Sequence, residues 1–173
     1  MLDNDVYKVL VETVKLGLTE RGVPNALVRQ SYQPTQQSVK TGQCIFLHKL
    51  PSPQGSYGLE YTDAGERIQI SYATSVFQIS ALSPQNPADI NSLTAYDLLT
   101  KVSDHLQSYD TIRQLQQEGV PLMRITNISA DSFQNNFDQF ELSPFFTLTL
   151  QNNRSYTKSI PQVDRVTGLA IGV

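Results

Sequence analysis

The stretch RIQISYATSVFQISAL, residues 67–82, is the longest β-strand signal in the chain. β-Branched and aromatic side chains recur at alternate positions, as they do in strands with one buried face. Fully extended, the stretch would be roughly 50 Å long. A compact domain of 173 residues is only about 40 Å across. The strand must therefore either bend sharply or extend beyond the core of its own domain.

The alternation changes parity within this stretch. Ile68 and Ile70 share one parity, whereas Phe77 and Ile79 share the other. Because side chains alternate strictly between the two faces of a strand, both sets cannot reach one face of a regular strand. The pattern therefore predicts a bulge or bend near residues 73–75.

A second overlong β segment, FFTLTLQNNRSYTKSIPQV, closes the chain at residues 145–163. In it Leu148 and Leu150 alternate with threonines, and the polar tract QNNR interrupts the pattern. We expect the two overlong segments to pair with each other and to project past the core.

The remaining elements predict an α+β fold in one domain over residues 1–173. Apolar residues at helical spacing indicate helices at 4–18, 95–106 and 110–119. Strands are predicted at 26–32, 43–50 and 120–128, a turn cluster at 51–58, and a polar loop at 129–142. This order favours a mainly antiparallel sheet of four to five strands with the helices packed on one face.

Composition excludes several classes of function. The net charge is −3 and no Lys/Arg cluster occurs, so no basic surface for nucleic acid is indicated. No apolar run approaches the ~20 residues of a membrane span. The N-terminus MLDNDVYKVL is acidic and amphipathic, unlike a signal peptide, and the only cysteine rules out an internal disulfide. We expect a protein made in a cytosol-like compartment.

Cys44 and His48 are the most reactive pair in the sequence, since they share one face of the strand at 43–50. Four residues along a strand is about 13 Å, which is too far for a hydrogen bond or a shared metal ion. The chain also has no phosphate-binding glycine loop, nucleophile elbow or metalloprotease motif. We therefore predict no enzyme activity, no metal and no cofactor.

The order of elements and several short motifs resemble those of the phage tail terminator (neck) proteins. The similarity runs from SYQPTQQ and CIFLHKL through SVFQISALSPQNPADI, LLTKVSDHLQ and GVPLMRITNI to DQFELSPFFTLTLQNNRSYTKSIPQVD. The family often has a Tyr-Gln and proline-containing connector and an Ile-Pro turn after its last long strand. The matching residues are Tyr32, Gln33, Pro34, Ile160 and Pro161. A second proline common in that connector is missing here, where residues 38–41 stand.

The resemblance implies a structural virion protein, assembled in the bacterial cytoplasm and located in the neck. Family members form a hexameric ring stacked on the last ring of the tail tube, with DNA passing through the lumen. The implied partners are further copies of the chain, the tail tube protein and the head–tail connector or stopper proteins, with the tail sheath as a further candidate. The alternatives are another neck ring, a stopper or adaptor, and a non-viral module that binds proteins by strand addition.

The connector RQSYQPTQQ, residues 29–37, contains four glutamines and one charge. Glutamines donate and accept hydrogen bonds without the desolvation cost of ions, so such a segment suits a contact between subunits. An ordinary exposed loop is the alternative. The predicted subunit interface comprises Arg29, Tyr32, Gln33, Pro34, Gln36, Gln37, Asn152, Asn153, Arg154 and Tyr156.

Overall fold

The computed structural model describes residues 3–30, 42–52, 55, 57–61, 66–83, 91–134 and 140–159, with the backbone alone at 66, 131–134, 140–143, 153, 154 and 159. Within these residues the chain forms helices and a single seven-stranded sheet. The elements are α1 (Asp3–Glu20), β1 (Leu27–Gln30), β2 (Cys44–Leu50), β3 (Tyr57–Tyr61), β4 (Glu66–Leu82), α2 (Ala95–Leu106), α3 (Tyr109–Gln117), β5 (Leu122–Ile125), β6 (Ser129–Gln134) and β7 (Phe140–Ser159).

The sheet has the order β1-β2-β4-β7-β5, with β3 also paired to β4 and β6 also paired to β7. Only the β1–β2 pair is parallel, so the predicted α+β class with a mainly antiparallel sheet is confirmed. The strand number exceeds the predicted four to five, because β3 and β6 fall in segments predicted as a turn and a polar loop. Both are short strands held by backbone hydrogen bonds to an overlong neighbour. Backbone hydrogen bonding has little effect on the pattern of hydrophobic residues in the sequence.

The two overlong strands pair with each other, as predicted. Their antiparallel register runs from Glu66 opposite Ser159 to Ser80 opposite Phe145 without a shift. Of the predicted bulge or bend near residues 73–75, the bulge is therefore absent from the pairing of these two strands. The two parities reflect different faces of one regular strand. Phe77 and Ile79 lie under the helices on one face, and Ile68 and Ile70 lie half-buried on the opposite face.

An irregularity does occur beside residues 71–76 of β4, where its neighbour changes from β2 to β3. β2 pairs as far as Leu50 opposite Val76, and β3 resumes at Tyr57 opposite Ser71. Between them the Ser52 hydroxyl accepts a hydrogen bond of 3.0 Å from the Val76 amide. A Cβ at Gly55 would overlap the carbonyl of Tyr72, so only glycine permits this close approach.

The helices cover one face of the sheet at the centre of β4 and β7. The OH of Tyr7 on α1 donates to the Leu47 carbonyl, and its ring meets Phe77 edge-on, with centroids 5.6 Å apart. A capping box between Thr94 and Asp97 starts α2, and these hydrogen bonds hold the pKa of Asp97 below its usual value. The core contains Val6, Leu10, Val14, Leu18, Ile45, Leu47, Phe77, Ile79, Leu98, Leu99, Val102, Leu106, Leu115, Phe146, Leu148 and Leu150.

Gly17 brings α1 close to α2 at His105. A Cβ at residue 17 would overlap the imidazole ring, which is buried. The Nδ1 atom of His105 lies 3.3 Å from Glu20 Oε2, and Nε2 lies 3.3 Å from Thr111 Oγ1. Burial lowers the pKa of His105, while the Glu20 carboxylate opposes the shift. His105 is therefore a packing residue that connects the three helices.

We expect Gly17→Ala to destabilise the fold. The overlap with the His105 ring should cost about 1–3 kcal/mol, against a gain in helix propensity of about 1 kcal/mol. Chemical denaturation would measure the difference in the free energy of unfolding. In the His105→Ala background the ring is absent and only the Cβ of residue 105 remains, 2.9 Å from the added Cβ, so Gly17→Ala should cost clearly less. An equal effect in both backgrounds would contradict this account of the helix contact.

Candidate functional site

Beyond the helices, β4 and β7 continue with β3 as a three-stranded extension. We call residues 57–61, 66–74 and 151–159 the arm. None of the arm side chains that the structure describes belongs to the hydrophobic core cluster. The prediction that the overlong strands project past the core is thus confirmed.

The register of the arm brings aromatic and aliphatic side chains to one face. Residues paired across antiparallel strands lie on the same face. The three rows, in order toward the tip, are Tyr57–Ser71–Arg154, Leu59–Gln69–Tyr156 and Tyr61–Arg67–Lys158.

This face continues the face that the helices cover further along β4, because Ser71 and Gln69 share the parity of Phe77. Its four large side chains are exposed: Tyr57 by 63%, Leu59 by 57%, Tyr61 by 70% and Tyr156 by 65%. Together they expose roughly 500 Å², an area typical of interaction sites. We call the three rows the arm face.

On the opposite side of the arm the large apolar side chains are better covered. Ile68, Ile70 and Tyr72 are half-buried there. The ring of Tyr72 lies over Gly58, since a Cβ at that glycine would be 3.5 Å from Tyr72 Cε2. The exposed apolar area of the arm is therefore concentrated on one side.

Asn152 lies at the base of the arm, opposite Ala73. Its side chain is fully buried, and within the described residues neither Nδ2 nor Oδ1 has a hydrogen-bond partner. An unsatisfied buried amide costs about 1–3 kcal/mol. The base of the arm is thus less stable than an apolar residue of the same size would make it.

We expect Asn152→Leu, which is close in volume, to raise the free energy of unfolding by about 1–3 kcal/mol because it removes two unsatisfied polar atoms. Thermal and urea denaturation would measure this change. Asn152→Asp is the matched comparison and should destabilise the protein by burying a charge. A loss of stability in Asn152→Leu would mean that the amide is hydrogen-bonded in solution.

The structure places the predicted interface residues in different regions. Tyr156 is exposed on the arm face, and Asn153 and Arg154 precede it on β7, where only their backbone is described. Asn152 is fully buried in the isolated chain. Tyr32, Gln33, Pro34, Gln36 and Gln37 lie outside the described residues.

Arg29 is exposed on β1, away from the arm. It is in register with Phe46, which pairs with Ser80, whereas Tyr156 pairs with Gln69. These two positions on β4 are roughly 35 Å apart along the strand. The structure does not bring Arg29 and Tyr156 together.

Sequence reasoning missed the contribution of β3. Tyr57, Leu59 and Tyr61 alternate with Gly58 and Glu60, which is a period of two. Turn-forming residues before this segment and acidic residues after it hid the signal. The alternation was the feature that could have identified the strand.

The reactive side chains do not converge. Cys44 is fully buried and His48 is exposed. Across the described ranges, no three His, Cys, Asp or Glu side chains are grouped so that they could hold a metal ion. None of the described helices is long and apolar enough to cross a membrane.

Comparison with solved structures identifies the fold. A chain from the cryo-EM structure of an extracellular contractile injection system, described as the PVC sheath/tube terminator in the extended state, matches with a TM-score of 0.55 and 14% identity. The match covers 100% of this chain, which spans 64% of that chain. Comparison with curated protein sequences gives no match.

The chain therefore shares the fold of that sheath/tube terminator. The sequence model of one family, described as E217 gateway protein gp29, matches residues 5–162. The chain belongs to this family. The resemblance found in the sequence is confirmed.

Proposed function

We propose that the chain is a structural, non-catalytic subunit of a tailed-phage neck. A closed ring of copies, six in number and each a single domain, ends the tail tube and joins it to the head–tail connector. The genome passes through the lumen without sequence-specific contacts. The subunits are made and assembled in the bacterial cytoplasm.

The observation that carries this proposal is the family match over residues 5–162. That range includes nearly all of α1, the whole sheet and the arm, so the match does not depend on one local motif. The terminator fold supports the same role from shape alone.

The proposed partners follow from the requirements of a terminator. The solved relative is described as a sheath/tube terminator, so the tube protein and, in a contractile tail, the sheath are the partners proposed below the ring. A connector or stopper ring would lie above it. The net charge of −3 suits a conduit along which DNA slides without being held.

We expect phage that lack this gene to make tubes of uncontrolled length that carry no heads, because nothing stops tube growth or offers a surface to the connector. Electron microscopy of lysates would measure tube length and head attachment. The wild-type gene supplied in trans is the control. Tubes of normal length that fail to join heads would assign the chain to a neighbouring neck ring. Normal phage would contradict the proposal.

We further propose that Gln33, Gln36 and Gln37 meet a neighbouring subunit or the tube end. Changing all three to Glu should leave the fold intact but reduce the yield of joined particles, because three carboxylates would lose solvation in the contact. Phage titre and circular dichroism measure the two effects. Changing all three to Asn, which keeps the amides, should cost less. Full titre from the Glu variant would mean that the segment is only a loop.

A further inference from the structure

β7 has different partners at its two ends. Residues 151–159 belong to the arm, whereas the first residues of the strand pair with β6, from Gln134 opposite Phe140 to Ser129 opposite Phe145. We call residues 129–134 and 140–144 the hairpin. β7 contains 20 residues and is roughly 65 Å long. The hairpin and the arm therefore lie at opposite ends of one strand.

The arm face carries positive charge. Arg67 and Lys158 lie in its tip row and are paired directly across β4 and β7, and Arg154 lies on the same face by register. Like charges placed opposite each other destabilise a sheet, so this row gains from an acidic partner. The acidic residues of the arm, Glu60 and Glu66, have the opposite parity and belong to its other face.

The occupant of the arm face must combine acidic with apolar residues. The four large side chains of this face expose roughly 500 Å², more than half of the about 800 Å² that each partner buries in a standard interface. Among the described helices and strands outside the arm, acidic residues without a basic one occur in the hairpin alone. Each helix carries both signs, and β1, β2 and β5 carry basic residues and no acidic one.

The register of the hairpin places its acidic residues on one face together with a phenylalanine. Asp131 is opposite Ser143, and Phe133 is opposite Glu141. We call these four positions the hairpin face. They share the parity of Phe145, whereas the arm face shares the parity of the helix-covered residues of β7. The hairpin face and the arm face are therefore on opposite sides of the sheet.

We propose that the hairpin face of each subunit lies across the arm face of the next copy. The inference rests on the proposed ring and identifies the two surfaces that close it. Neighbours in a ring meet through two different surfaces. Where their sheets overlap, the upper side of one sheet meets the lower side of the next, as these two faces would. Two arm faces would instead bring cations together.

Charge reversal tests the two surfaces separately in the intact chain. An arm variant carries Arg67→Glu and Lys158→Glu, and a hairpin variant carries Asp131→Lys and Glu141→Lys. Thermal unfolding checks that each variant folds. If a reversal unfolds the chain, the neutral changes to Gln at 67 and 158, or to Asn at 131 and Gln at 141, replace it.

Native mass spectrometry over a range of protein concentrations measures the association. The wild type should form rings, and each reversed variant alone should associate at least about tenfold more weakly because like charges would face each other. A one-to-one mixture of the two variants should restore rings of alternating copies. In these rings each acidic arm face meets a basic hairpin face, and each basic arm face meets an acidic hairpin face.

A control variant carries Lys8→Glu and Lys15→Glu, which change the net charge as the arm variant does but on the exposed side of α1. Its dissociation constant should stay within about twofold of the wild-type value, because exposed charges far from a contact are screened by salt. Mixing this control with the hairpin variant should not restore alternating rings. Restoration by the control would mean that net charge, and not the arm face, decides the association.

Three further results would overturn the inference. Reversed variants that form rings as readily as the wild type would show that the ring uses other surfaces. A mixture that associates no better than its components would show that the two faces do not meet, and binding of a short DNA duplex by the wild type but not by the arm variant would then assign the cations to nucleic acid. A wild type that stays monomeric at millimolar concentration would contradict self-association through these faces. The proposed function is judged separately, by the tubes made without the gene.

Discussion

The unbroken antiparallel pairing of β4 with β7 is the constraint on which the rest of the structure depends. Both strands are longer than the core is wide, and their register contains no shift from Glu66 to Ser80. All other strands except β1 attach to one of these two, and β1 attaches through β2. The backbone N–H and C=O groups of each strand are hydrogen-bonded to the other strand. The pair therefore remains regular where no helix covers it.

The same two strands therefore serve two purposes. Where helices cover one face, alternate residues such as Phe77 and Leu148 form the core. Where the helices end, residues of the same parity on β7 are exposed, and Tyr156 joins Leu59 of β3 in the arm face. A rigid extension of the core sheet holds these side chains in fixed positions, which reduces the conformational entropy lost when a partner binds.

Two residues mark the junction where the core part of the sheet passes into the arm. Gly55 lies between β2 of the core and β3 of the arm. It lets the connecting segment pass close to the Tyr72 backbone. Asn152 places an unsatisfied amide where the core ends and the arm begins. Both lie at the junction between the core and the arm.

The sequence by itself determined the features that depend on local chemistry. Helical spacing of apolar residues located the buried stripes of α1 and α2, and Gly22 and Gly119 ended α1 and α3 with positive φ angles. The length of β4 required either a sharp bend or a projection. Tertiary structure alone decided which face of β4 is covered. It also decided where β2 gives way to β3 beside β4, and that β3 completes the arm. The physical reason is that alternation defines two faces of a strand but not which is buried, since that depends on how far the helices reach. For the same reason Asn152 reads as a surface residue within a polar tract, and only the packing around it makes it part of the interior.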